Sequence, residues 1–386
     1  MKTSRVTVLV VGAIMQLFLG VLYIWSVFVA PVSKYFNMPI EDVKLTSSFM
    51  LASFVAGILF GGKLQKKISV QKIVLIGGIL LSSAMALTAV LPSNLGMAVY
   101  VTYGVLGGVG VGMGYNAIIT ASQQNFPDKR GIATGVSVCT FGFSTVIFTP
   151  IIQSLESMLG LQSTLLILAV SFFVVTLACF SFVKMPEKSS SKVLFTGKQY
   201  ETSQMLKTKT FYFITASMMF GTSVFFILNP SFFTLASERG LTTQQATLMV
   251  MLTGVASAIG RLLFPIISDK TGIKTATFLT LIITTIGAVG LIFAQGVLFI
   301  VVVIAIACCY GGTSGTYPIL TGKHFGLKNI GANYGCVMVG FATSALIFPM
   351  IIGFIDNINL KFITLAVLAL VGSFLVLALS SKTDKE

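Results

Sequence analysis

Twelve apolar runs of about 20 residues occupy nearly the whole chain, with approximate limits 6–30, 45–62, 73–91, 95–122, 131–153, 162–183, 210–236, 244–268, 275–294, 296–321, 331–355 and 361–380. A helix of that length crosses the roughly 30 Å hydrocarbon core of a bilayer and satisfies its own backbone there. The 386 residues are 55% hydrophobic and 9% charged, against about 25% charged in an ordinary soluble domain, and no water-soluble core hides that much apolar surface. The expectation is an all-α membrane protein of 12 transmembrane helices. The first run follows Lys2 and Arg5 as a signal sequence would. It is long, aromatic near its end and without a small-residue cleavage pattern, so it is expected to stay as a span. Cys139, Cys179, Cys308, Cys309 and Cys336 fall inside apolar runs without metal-ligand spacing and read as small packing residues, with no metal and no cofactor implied.

A formal charge of +14 invites a nucleic-acid partner, but membrane proteins use Lys and Arg to fix orientation. With the amino terminus inside, Lys63, Lys66, Lys67, Lys72, Lys129, Arg130, Lys270, Lys274, Lys323, Lys328, the central loop and both termini are cytoplasmic. Only Lys34, Lys44, Arg239 and Lys361 fall outside. A multi-pass protein of the cytoplasmic membrane, with both ends in the cytoplasm and lipid rather than nucleic acid as its surroundings, satisfies the rule; nothing in the chain points to more than a monomer.

The longest polar interruption, 184–209, contains PEKSSSK and divides the spans six and six. It reads as a cytoplasmic linker between an amino-terminal bundle over 1–183 and a carboxy-terminal bundle over 210–386. The halves repeat. A shift of 200 aligns Gly131, Gly135, Phe141, Ser144 and Phe148 with Gly331, Gly335, Phe341, Ser344 and Phe348, and a shift of 204 aligns Ala52, Ser53, Leu59, Phe60 and Lys66 with Ala256, Ser257, Leu263, Phe264 and Lys270. In the second register Gly57 faces Arg261. Scaffolding alone therefore does not demand arginine at that place.

Arg261 is the cation of the run 244–268, and Asp269 closes that run eight residues later. At 1.5 Å per residue the guanidinium sits about 12 Å inside, close to mid-bilayer. Insertion there costs at least about 2.5 kcal/mol, and such a residue normally faces the bundle interior or a cavity. Its planar donor fork suits a carboxylate held bidentately. The alternative is a structural arginine bonded to carbonyls at a helix break near Pro265.

Two parallel six-span halves joined by a cytoplasmic linker are the arrangement of a major-facilitator transporter, with substrate at the midplane. The runs Gly20-Val-Leu-Tyr-Ile-Trp-Ser-Val-Phe28, Phe126-Pro-Asp-Lys-Arg-Gly-Ile-Ala-Thr-Gly135 and Phe325-Gly-Leu-Lys-Asn-Ile-Gly-Ala-Asn-Tyr-Gly335, with Arg261 four residues before Pro265 and then Ser268-Asp269, resemble the oxalate/formate antiporter family, relatives of the monocarboxylate transporters. The resemblance covers nearly the whole chain. It implies two pseudo-symmetric six-helix bundles (the major facilitator fold) and an arginine, here Arg261, that binds the substrate anion. The family's oxalate carriers place a lysine in span eleven, where this chain has Phe341 and no Lys or Arg from 331 to 353. The departure favours a monoanion such as lactate, pyruvate or formate. An oxalate/formate-type exchanger of dicarboxylates and a non-transporting sensor of small anions are the alternatives. Related monocarboxylate carriers hold an acid four residues before the arginine, where this chain has Ser257, which puts proton symport in doubt and leaves exchange, or a proton moving with the substrate.

Gln16 and Tyr23, seven apart on span one, share a helical face, with Trp25 on the opposite one. Tyr115 and Asn116 follow the glycine-rich part of span four, and Tyr310 and Tyr317 flank that of span ten. With Ser257 and Phe341 these are candidates to line the pocket; for Gln16, Asn116 and Ser257 an interhelical hydrogen bond is the competing role. The run GVLGGVGVGMG over 104–114 has no strand before it and no acid about 20 residues on, so it reads as helix packing and not as a dinucleotide fingerprint. The loop 61–72 resembles the facilitator loop motif with Gln65 in place of its acid, whereas Ser268-Asp-Lys-Thr-Gly-Ile-Lys274 keeps Asp269. Asp269, Lys270 and Lys66 are thus gate candidates. The one histidine, His324, lies in a loop and no acid sits deep in a span, so the chain is not read as an enzyme.

Overall fold

The computed structural model describes residues 4–186 and 198–379, apart from the side chains of Leu22 and Tyr23. Residues 187–197 of the expected linker, and the Tyr23 side chain, therefore lie outside the described residues. The helices are α1 (Arg5–Leu19), α2 (Trp25–Phe36), α3 (Ile40–Leu64), α4 (Val70–Ala89), α5 (Gly108–Asn125), α6 (Arg130–Cys179), α7 (Thr202–Met205), α8 (Lys209–Leu228), α9 (Phe232–Glu238), α10 (Thr243–Thr271), α11 (Ile273–Phe293), α12 (Gly296–Phe325), α13 (Ile330–Gly353) and α14 (Ile358–Leu377). The fold is all-α, as the apolar runs imply.

Side-chain caps start several of these helices: Ser69 accepts from Lys72 N, Thr208 from Phe211 N, and Thr242 forms a capping box with Gln245. Among the described residues, ten helical stretches are long and apolar enough to cross a membrane. They account for eleven of the twelve apolar runs, because one of them holds spans five and six together, and the first run lies outside the ten as the shorter helices α1 and α2. Span one is not one α-helix: Gly20–Ile24 forms a 3-10 turn between α1 and α2. Spans five and six run together in α6, bent at Gly160, whose φ of 76° is a left-handed conformation that glycine adopts without strain. Ahead of α5, Tyr100–Gly107 winds as a π-helix.

By internal contacts the described chain forms two units, one of residues 4–127, 140–186 and 329–336, the other of 128–139, 198–328 and 337–379. The opening turns of α13 thus belong to the first unit and those of α6 to the second. In the first, alternate glycines of α5 face two neighbours. A Cβ at Gly108 or Gly112 would strike the Met50 or Phe54 carbonyl of α3, and one at Gly110 would lie 2.6 Å from the Gly77 carbonyl of α4. The glycine run is a packing device, not a phosphate cradle. In the second unit Val224, Phe232, Leu291, Phe299, Val303 and Phe362 sit in one fully buried apolar cluster. Removing such area from water contributes about 25 cal/mol per Å² where the reference is aqueous, but between spans in lipid close van der Waals packing matters more.

Candidate functional site

The α10 and α12 backbones approach unusually closely around Arg261. A Cβ at Gly260 would overlap the Cys308 carbonyl, one at Gly311 the Ser257 carbonyl, and one at Gly315 would lie 2.7 Å from the Arg261 carbonyl. This glycine ladder sets the height of the guanidinium. Arg261 is 4% exposed, and the Cys139 thiol of α6 lies within its electrostatic reach. Pro265 does not break the helix, since α10 continues to Thr271.

Ser257 lies one turn before Arg261 and is buried. Tyr310, next to Gly311, shares that layer. Its ring stacks on Phe225 with centroids 4.0 Å apart and meets Phe226 edge-on at 5.5 Å, while Phe226 meets Phe341 at 5.0 Å. An aromatic wall of α8, α12 and α13 side chains thereby joins two residues singled out in the sequence. Phe225 and Phe226 were missed. Their one signal is an adjacent aromatic pair just before Asn229-Pro230, where α8 gives way to a 3-10 turn. Tyr317 stands apart, fully buried with its hydroxyl donating to Ser217 Oγ at 2.9 Å, so that hydroxyl holds α12 to α8.

In the first unit Tyr115 forms an aromatic trio with Phe141 at 4.8 Å and Phe54 at 5.3 Å. Gln16 Nε2 donates to the Tyr115 carbonyl at 3.3 Å, tying α1 to α5. Asn116 Nδ2 donates to the Ile58 carbonyl at 3.0 Å and to the Gly331 carbonyl at 2.7 Å. These amides act as interhelical links. Trp25 turns away to donate from Nε1 to the Val43 carbonyl at 2.9 Å.

Asp269 does more than end a span. Its Oδ1 accepts from Gly131 N at 2.9 Å and its Oδ2 from Ile132 N at 3.1 Å, so the carboxylate caps the first turn of α6, where unmet N–H groups and the helix dipole favour negative charge. The repeat-related contact is neutral, since a Cβ at Gly331 would meet the Gln65 amide. Lys66 and Lys270 are exposed beside these two contacts. Asp269→Asn is expected to lower stability by about 0.3–1 kcal/mol, and the deficit should shrink in high salt because an exposed charge is screened. Thermal unfolding of both proteins in low and high salt checks this; a deficit indifferent to salt would count against the charged cap.

The profile of the major facilitator superfamily matches residues 8–349. The chain belongs to this superfamily. As a major facilitator protein it is a multi-pass membrane transporter and not an enzyme. It is 26% identical to the uncharacterized transporter YhjX of Escherichia coli (strain K12), covering 89% of this chain and 87% of that one. It is 24% identical to the oxalate:formate antiporter of Oxalobacter formigenes over 94% and 87%, and 23% identical to monocarboxylate transporter 12 of Xenopus laevis over 86% and 77%. The outward conformation of the major facilitator transporter FucP superposes with a TM-score of 0.75 at 16% identity, over 97% of this chain and 99% of that one. The proton:xylose symporter XylE gives 0.72 at 13%, over 96% and 94%. These two likenesses establish the fold.

Proposed function

We propose that the protein carries a small monocarboxylate across the cytoplasmic membrane by alternating access, with Arg261 as the anion's ligand. The observation that carries the reading is a guanidinium 4% exposed at mid-span, in a helix whose apolar run holds no other charge. Its fork accepts the two carboxylate oxygens, and pairing there lowers the cost of moving either charge through a low-dielectric interior. Tyr310 and Ser257 stand in the same layer, and Phe226 and Phe341 wall it with apolar surface suited to a short acyl or hydroxyacyl group. From the first half Tyr115 and Tyr23 are proposed to enclose the substrate, while Gln16, Asn116 and Tyr317 support the helices that do so.

The two halves, 1–183 and 210–386, are proposed to rock about this site, with both termini and the linker in the cytoplasm as the Lys and Arg distribution requires. Asp269 on the first turn of α6 serves as the charged gate contact, with Lys270 and Lys66 flanking. Relatives named for oxalate:formate exchange and for monocarboxylate transport support a carboxylate cargo. The absence of a Lys or Arg from 331 to 353 favours one negative charge over two.

Counterflow in proteoliposomes tests the cargo. Labelled lactate, pyruvate, formate and oxalate are offered to vesicles loaded with the unlabelled acid, with and without a pH gradient. One or more monocarboxylates should exchange and oxalate should lag by tenfold or more. Oxalate exchange at an equal rate would refute the monoanion preference, and saturable binding without any flux would identify a sensor.

A further inference from the structure

We propose that α5 carries a file of internal water along the face formed by Asn116, Thr120 and Gln123. Spacings of four and three residues bring these side chains within about 60° of one helix face. All are deeply buried, at 0%, 2% and 0% exposure. Asn116 Oδ1, Thr120 Oγ1 and both ends of the Gln123 amide have no hydrogen-bond partner among the described residues.

The orientation of these groups is constrained. Asn116 Nδ2 is held by two carbonyls, Ile58 and Gly331, so its amide cannot be flipped and Oδ1 must face away from them. Thr120 forgoes the bond to the carbonyl four residues back that Thr88, Thr222, Thr284 and Thr321 all make, so its hydroxyl is directed elsewhere. A buried polar atom left bare is costly, and proteins rarely tolerate several on one face.

The chemistry of the face selects its occupant. Two amide oxygens, one hydroxyl and one amide NH2 offer both donors and acceptors without formal charge. That set suits water, which makes about three hydrogen bonds when buried, and gives neither anion nor metal cation a counter-charge. From Asn116 to Gln123 the file is about 10 Å long, and it runs towards the carboxy-terminal end of α5. It would hydrate the Asn116 link to the α13 start, and it supplies a neutral hydrogen-bonded route between that link and the end of the helix without any carboxylate.

The test uses the full-length protein and does not depend on the cargo. A crystal or electron-microscopy map that resolves solvent should show water within hydrogen-bond distance of Thr120 Oγ1 and of the Gln123 amide. Thr120→Val and Gln123→Met keep the shape and remove the water's partners, so each should lower Tm. If the face were dry, the same substitutions would relieve bare polar atoms and raise Tm. A solvent-resolving map without density at these atoms, or a Tm that stays or rises in either variant, overturns the proposal.

Discussion

Arg261→Lys is expected to cut monocarboxylate transport by roughly 10- to 150-fold while the protein still folds and inserts. Lysine keeps the positive charge and loses the planar fork, so one of two charge-assisted hydrogen bonds to the carboxylate disappears. A bond to a charged group contributes about 1.5–3 kcal/mol, which sets that range through the tenfold-per-1.4 kcal/mol relation. The ladder of Gly260, Gly311 and Gly315 holds the α10 backbone at one height against α12, so the shorter reach of an ammonium cannot be recovered by sliding the helix. Initial rates of counterflow in proteoliposomes, normalised to inserted protein, measure the effect. Wild-type rate and affinity in Arg261→Lys would show that the fork is not the ligand.

The second large effect is expected from one added methyl group. In Gly311→Ala the new Cβ falls on the Ser257 carbonyl oxygen, a backbone atom that moves only if α10 moves. Overpacking of that kind costs about 1–3 kcal/mol or more, and the displacement carries Arg261 with it. Both Tm and transport should fall. Gly254→Ala, also on α10, is the control: nothing lies within 4 Å of its would-be Cβ, and replacing a helical glycine is worth about 0.5–1 kcal/mol in the opposite direction. A Gly311→Ala protein as stable as wild type, or a Gly254→Ala protein equally damaged, would mean that the ladder does not set the helix spacing.

What the sequence discloses follows from which forces act locally. Spans are legible because a bilayer imposes length and hydropathy on every helix that crosses it, and Arg261 is legible because a charge in such a run is rare. The glycines of span four and span ten could be assigned to packing, since Gly110 and Gly114 recur as Gly311 and Gly315 at a shift of 201. The bend at Gly160 and the 3-10 turn at Gly20–Ile24 were not foreseen, because hydropathy is nearly blind to local winding. The aromatic wall around Phe226 and the links made by Asn116 and Tyr317 were hidden for another reason. Their partners are a ring on another span, two backbone carbonyls and Ser217, and a carbonyl carries no signature in the sequence.

The most direct measurement compares each acid that exchanges in counterflow with its own neutral amide, by titration calorimetry on the purified protein and on Arg261→Gln. Wild type should bind the acid at least about tenfold more tightly than the amide, a difference of 1.4 kcal/mol, and Arg261→Gln should lose that preference. Equal binding of acid and amide by wild type, or an undiminished preference in Arg261→Gln, would contradict a carboxylate held by the buried guanidinium.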